Sequence, residues 1–92
     1  MPLLRGRVVG YDANRMTFEF TMMHDARIVD CEISSTAMDD LAGEKGILPH
    51  ERDAQFRRLR EAIERVASEL FERNGGAFGL TLRIFSKHVR NR

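Results

Sequence analysis

The chain has one cysteine and no run of apolar residues that approaches membrane length. Cys31 alone cannot close an internal disulfide, which fits a reducing compartment. A membrane span needs about 20 mainly apolar residues, so no membrane is expected as a partner. The opening MPLLRGRVVG is too short in apolar residues for a secretory signal, and a cytoplasmic location is expected. Internal repeats and low-complexity tracts are missing as well. So are ligating pairs: there is no CxxC, and His24, His50 and His88 have no second ligand at helical i,i+4 spacing. Asp39 and Asp40 are adjacent carboxylates, but neighbours on a helix diverge by about 100° and cannot share a site. No acid, base and nucleophile can be assembled, so neither catalysis nor a cofactor nor a metal is expected. Cys31 itself falls on the inward side of a strand and reads as a small hydrophobe.

What remains is an ordinary soluble composition: 92 residues, 42% hydrophobic and 32% charged. That is one domain, 1–92, with a modest core. Net charge is +1, unevenly spread. Residues 1–50 carry five basic and eight acidic groups, and residues 51–73 carry six of each. The last nineteen residues carry Arg83, Lys87, Arg90 and Arg92 with no acid, and 86–92 reads as a basic C-terminal tail.

The arginine-rich stretch ERDAQFRRLREAIERVASELFERNGG raises the question of a nucleic-acid helix. Its apolar residues fall at Phe56, Leu59, Ile63, Val66 and Leu70, in steps of three and four, which predicts a helix from about His50 to Arg73. The apolar arc spans roughly half the circumference, wide enough to cover a sheet. On the other half, Asp53, Arg57, Glu61, Arg65, Glu69 and Arg73 alternate in sign at i,i+4. Each such pair contributes about 0.2–0.5 kcal/mol when exposed, and the row neutralises itself. A nucleic-acid helix shows unopposed cations along one side. The balanced row therefore reads as a solvated face.

Strands supply the partner for that helix. MTFEFTM alternates, with Met16, Phe18, Phe20 and Met22 inward. RIVDCEIS places Val29, Cys31 and Ile33 on one side. A loop centred on His24–Asp25 pairs Phe20 with Val29, Phe18 with Cys31 and Met16 with Ile33. DANR is a turn that folds RVVGY back, so that Val9 meets Phe18 and Tyr11 meets Met16. AFGLTLRIF closes the sheet with Phe78, Leu80, Leu82 and Ile84 inward. SSTAMDDLA predicts a short capped helix with Met38 and Leu41 inward. The expected fold is α+β, in the order β-β-β-α-α-β: an antiparallel four-stranded sheet with one short and one long helix packed on one face.

These elements carry a resemblance. Tyr11-Asp12-x-x-Arg15 with Phe18 and Phe20, then Cys31-x-Ile33-Ser34, the short helix and the long helix, resembles the small bacterial proteins called domain of unknown function 1488. The likeness spans about Gly10 to Phe85. It implies a compact α+β fold and no known chemistry. The closing RIFSKHVRNR is more basic than the family pattern, so the resemblance implies nothing about that segment.

Three sets of residues are candidates for a function. With both helices on one side, the other face of the sheet lies open, and Val8, Ile28 and Phe85 could form an apolar patch on it. That face is otherwise polar and could equally be wet, as antiparallel sheets permit. On the first reading the protein is a non-enzymatic interaction module, binding another protein or itself as a homodimer through the open face or an edge strand. The second set, Arg83, Lys87, His88, Arg90 and Arg92, would contact phosphates in a weak nucleic-acid binder. Against it, a sheet that reads RNA stacks bases on two or three exposed aromatics, and only Phe85 is offered. The third set, Tyr11, Asp12 and Arg15, flanks a turn and is either a recognition corner or a plain turn cap.

Overall fold

The computed structural model describes residues 3–76 and 79–90. Phe78 and Arg92 lie outside them. Strand β1 runs over Leu4–Asp12, β2 over Thr17–His24 and β3 over Arg27–Ser34. Helix α1 follows at Ser35–Ala42, and a 3-10 turn at Pro49–Glu51 leads into helix α2, Arg52–Arg73. Strand β4, Leu82–Ile84, and a short helix α3, Ser86–Arg90, close the chain.

The strands lie in the order β1-β2-β3-β4. The first two pairings are antiparallel, but β4 runs parallel to β3, with Cys31 beside Leu82 and Ile33 beside Ile84. The sheet is therefore mixed, which corrects the all-antiparallel expectation. The cause is the connection. Alternation within a strand fixes its inward face but not its direction, whereas the helical excursion after β3 is the kind of crossover that returns a chain parallel to where it left.

The β2–β3 turn lies one residue later than expected. It is Asp25–Ala26, with Asp25 at φ 55°, and Phe18 pairs with Ile33, Phe20 with Cys31 and Met22 with Val29. The slip from the expected register is two residues, so every side chain keeps its face. Met16 is not a strand residue. It sits in the preceding turn at φ 53° and is exposed.

Strand β1 departs further. It carries register shifts between Arg5 and Val8 and again between Val8 and Gly10. Each bulge adds a residue and reverses the alternation. Val8 thereby pairs with Phe20 and Tyr11 with Phe18, both packing toward the core, while Val9 is turned outward. Gly6 serves the first bulge: a Cβ there would stand 2.4 Å from the Thr21 carbonyl oxygen.

The core lies on one side of the sheet. Phe18, Phe20, Met22, Val29, Cys31, Ile33, Leu82 and Ile84 face the helices. Phe56 of α2 stacks on Phe18 at 4.3 Å between ring centroids. At 1.5 Å per residue the 22 residues of α2 span about 33 Å, enough to cross the sheet. Ser34 caps α1 through its side chain, which accepts from Ala37 N–H, and Gly43 closes the helix in the left-handed region at φ 67°. The expected tail is more than a tail: residues 86–90 are helical, α3 packs on α1, and Val89 is buried. Leu80 was expected inward and is instead 79% exposed, since the regular strand begins only at Leu82.

Candidate functional site on the open face of the sheet

Glu32 stands on the side of the sheet away from the helices, yet it is only 5% exposed. Two arginines cover it. Arg15 Nη2 donates to both carboxylate oxygens at 3.1 and 2.9 Å, and Arg83 Nε donates to Oε1 at 3.2 Å. Directly across the β2–β3 ladder is Glu19, whose Oε2 lies 3.9 Å from Arg15 Nη1. Facing like charges destabilise a sheet unless cations intervene, which is what Arg15 and Arg83 do. The carboxylates hold the Arg15 guanidinium above its ordinary pKa, chiefly through the hydrogen bonds to Glu32. Thr17, on the same face, has a buried hydroxyl with no hydrogen-bond partner among the described residues.

Around this group the surface is hollowed. A depression of about 360 Å³ is bounded by Val9, Tyr11, Asp12 and Glu19. A second, of about 250 Å³, shares Val9 and Glu19 with it and adds Arg15, Asp30, Glu32 and Thr81. A third, of about 130 Å³, shares Asp30 and Thr81 and adds Ile28 and Leu80. Together they make one trough that crosses from β1 to the segment entering β4. Its apolar positions are well exposed: Val9 is 62% accessible and Ile28 63%.

The structure separates the expected apolar trio. Ile28 and Phe85 are exposed, Phe85 lying against the His88 ring at 6.0 Å. Val8 is not on this face. It is partly buried against the core, and the bulge presents Val9 in its place.

The recognition corner is divided as well. Asp12 caps its turn by accepting from the backbone N–H groups of Asn14 and Arg15 at 3.0 and 3.2 Å. The Arg15 side chain reaches Glu32 rather than Asp12. Tyr11 turns the other way, its ring 5.7 Å from the Arg52 guanidinium.

The basic set is partly engaged. Arg83 holds Glu32, and Arg90 Nε donates to Asp40 Oδ2 at 3.3 Å. His88 Nδ1 accepts from the Phe85 N–H at 2.8 Å. Burial, then the charges of Lys87 and Arg73, press the His88 imidazole below its usual pKa. Lys87 is exposed on α3. On α2, Arg57 is held by Asp53 of its own helix, whereas Arg58 is held by Glu44 from outside it.

Two features bear on catalysis. Burial, followed by the charge of Asp30, pushes the Cys31 thiol up to about 12, so it is not a thiolate near neutrality. Among the described residues no group of three histidine, cysteine or acidic side chains is placed to hold a metal.

A buried polar cluster escaped the reading of the sequence. Arg52 is 5% exposed and donates to Asp39 Oδ1 and Gln55 Oε1, each at 2.6 Å. Gln55, fully buried, donates to Asp39 at 2.9 Å and to Glu44 at 3.3 Å. The cluster ties α1 and the following loop to the start of α2. A signal was present. Arg52 lies one turn before Phe56 and Gln55 one turn before Leu59, so both project into the apolar arc, where a polar side chain needs a buried partner.

Residues 6–82 match the family described as protein of unknown function (DUF1488), and the chain belongs to it. Its fold is also similar to a crystal structure of a DUF1488-family protein of unknown function from Shewanella loihica PV-4. The TM-score is 0.74 with 21% identity over 89% of this chain and 90% of that one. No curated protein matches the sequence.

Proposed function

We propose that the protein is a non-enzymatic interaction module that docks another protein on the open face of its sheet. The observation that carries this is the placement of Val9, Ile28 and Leu80, exposed along a trough on the side opposite the helices. Large apolar groups gathered on one concave surface are what a protein interface uses as its centre. Catalytic use of the same face has less support, because its titratable groups are ion-paired or open to water.

The face is a better dock than either edge. β1 is interrupted twice by bulges and β4 is three residues long, so neither offers a long flat template for strand addition. A homodimer built face to face has the charge of the trough against it. Asp12, Glu19, Asp30 and Glu32 line it with one arginine, Arg15, and a second copy would bring the same excess of acid. Nucleic acid is disfavoured for the same reason, and because Arg83 and Arg90 are paired to acids.

Site-specific photo-crosslinking tests the reading. A crosslinker at position 28 or 80 should capture a discrete partner in the native host, and one at Arg57 on the solvated helix should not. That partner, purified, should bind the wild type and lose at least tenfold in affinity to Ile28→Lys. A purified partner indifferent to Ile28→Lys, or the same capture from all three positions, would refute the proposal.

A further inference from the structure

We infer that the trough takes a short extended segment with a basic residue at its centre and apolar residues on either side. This rests on the interaction reading above and specifies the chemistry of the partner. Three features of the trough set that chemistry.

The first is charge. Four carboxylates and one arginine line the trough, and Arg15 and Arg83 are both committed to Glu32. Among the described residues no cation is paired with Asp30, which stands where two of the hollows join. Glu19 has only the 3.9 Å contact with Arg15. A guanidinium or ammonium group set between Glu19 and Asp30 would supply the missing positive charge.

The second is the order of groups along the trough. Val9 lies at the β1 end, the acids in the middle, and Ile28 with Leu80 at the β4 end. The occupant therefore has an apolar–basic–apolar order.

The third is span. The path is oblique, from Val9 on β1, near the level of Glu19, to Ile28 on β3, opposite Met23. With strands about 4.8 Å apart and about 3.3 Å per residue along each, it covers about 15 Å, which an extended chain crosses in about five residues. Alternate side chains of such a segment point at the sheet. The three that do so are its first, third and fifth, which fit the three parts of the trough.

The test uses two fluorescein-labelled peptides with serine spacers, one with the core Leu-Ser-Arg-Ser-Leu and one with Leu-Ser-Glu-Ser-Leu. Fluorescence anisotropy with the full chain at low salt should show saturable binding of the arginine peptide, at least tenfold tighter than the glutamate peptide. The double variant Glu19→Gln, Asp30→Asn should lose about tenfold for the arginine peptide and keep the wild-type circular dichroism spectrum. Ile28→Ser should weaken it without changing its salt dependence. Equal binding of both peptides, no binding of either, or full affinity in the double variant would overturn the inference. The crosslinked partner separates this failure from failure of the interaction reading. A partner that needs Ile28 but binds the Glu19, Asp30 double variant normally leaves the module intact and removes the basic segment. Sedimentation that showed a dimer abolished by Ile28→Lys would replace the segment with a second copy and also overturn the inference.

Discussion

Replacing Arg52 by methionine deletes one cation from a nearly dry cluster while roughly keeping the length of the side chain. Arg52 has a side chain only 6% accessible, and Asp39, its partner at 2.6 Å, is 25% accessible. Removing one member of a buried ion pair costs about 3–5 kcal/mol, because the survivor is left charged and unpaired. Asp39 keeps its bond from Gln55 and has some access to water, so a loss at or just below the lower end of that range is expected, about 2–3 kcal/mol. A domain of this size is stable by about 5–15 kcal/mol, so the loss is a large fraction of the whole. Urea unfolding followed by circular dichroism reads it directly. With a slope of about 1 kcal/mol per molar, the midpoint should fall by about 2–3 M. The double variant Arg52→Met, Asp39→Leu removes both charges and should recover most of that difference, since an apolar replacement of a buried pair is often neutral. The acid limb provides a second check. Burial pushes the Asp39 carboxyl up, but the hydrogen bonds from Arg52 and Gln55 outweigh it and leave the pKa below the ordinary value. That stabilisation is present above the ordinary aspartate range and disappears as pH falls through the lowered folded value. If Arg52→Met leaves the midpoint within 0.3 M or so of wild type, or if the double variant is no better than the single, the cluster does not hold α1 to α2 as argued.

Other expectations follow from single contacts. Because the fold keeps His88 neutral, its contribution to stability is complete above the ordinary histidine range and falls as pH drops through that range toward the lowered folded value. Urea midpoints at pH 8 and pH 5.5 should therefore differ more for wild type than for His88→Gln, and equal differences would contradict this. Cys31, buried and with its thiol raised to about 12, should react with a disulfide reagent at pH 8 only as fast as the protein opens. A burst of labelling in the native protein would place the thiol at the surface instead. Gly6→Ala should destabilise by about 1–3 kcal/mol in urea unfolding, since its Cβ would meet the Thr21 backbone carbonyl as well as the Thr21 hydroxyl, and the carbonyl is held in the sheet. An unchanged midpoint would mean that the bulge has slack.

Much of the fold was legible where periodicity was strong. The apolar arc of α2, the inward faces of β2 and β3, and the serine cap of α1 all read correctly from spacing and local chemistry. What failed did so for particular reasons. Val8 was put outside because strict alternation was carried through β1, and two bulges change its phase. The sequence marks of the bulges are two glycines: Gly6, whose role shows only against the Thr21 carbonyl, and Gly10, which takes φ 141° at the second register shift. β4 was taken as antiparallel because alternation is blind to strand direction. Val89 was lost among the basic residues of the final segment, since one apolar residue in five has no period. The exposure of Ile28 and Phe85 was read by alternation alone, and of the two only Ile28 lines the trough. The pairing of Glu32 with Arg15 and Arg83 was not legible, because it joins two strands and the β1–β2 turn, whose relative placement had first to be known. Tyr11 and Arg15 look like one motif in the chain and part across the sheet.

The parallel placement of β4 has a consequence for how the molecule opens. Its three residues are joined to β3 only after α1 and α2 have been laid down, so this seam closes the longest loop between paired strands of the sheet. A terminal unit tied by so short a ladder is the natural first part to detach, taking α3 with it and baring Cys31 and Ile33 on the far side of β3. Amide exchange should then grade across the sheet, slowest in the β2–β3 ladder and fastest at Leu82 to Ile84. The Leu80 end of the trough would share in that breathing, leaving the trough stiff at Glu19 and compliant at the end where the proposed segment would seat its last apolar side chain.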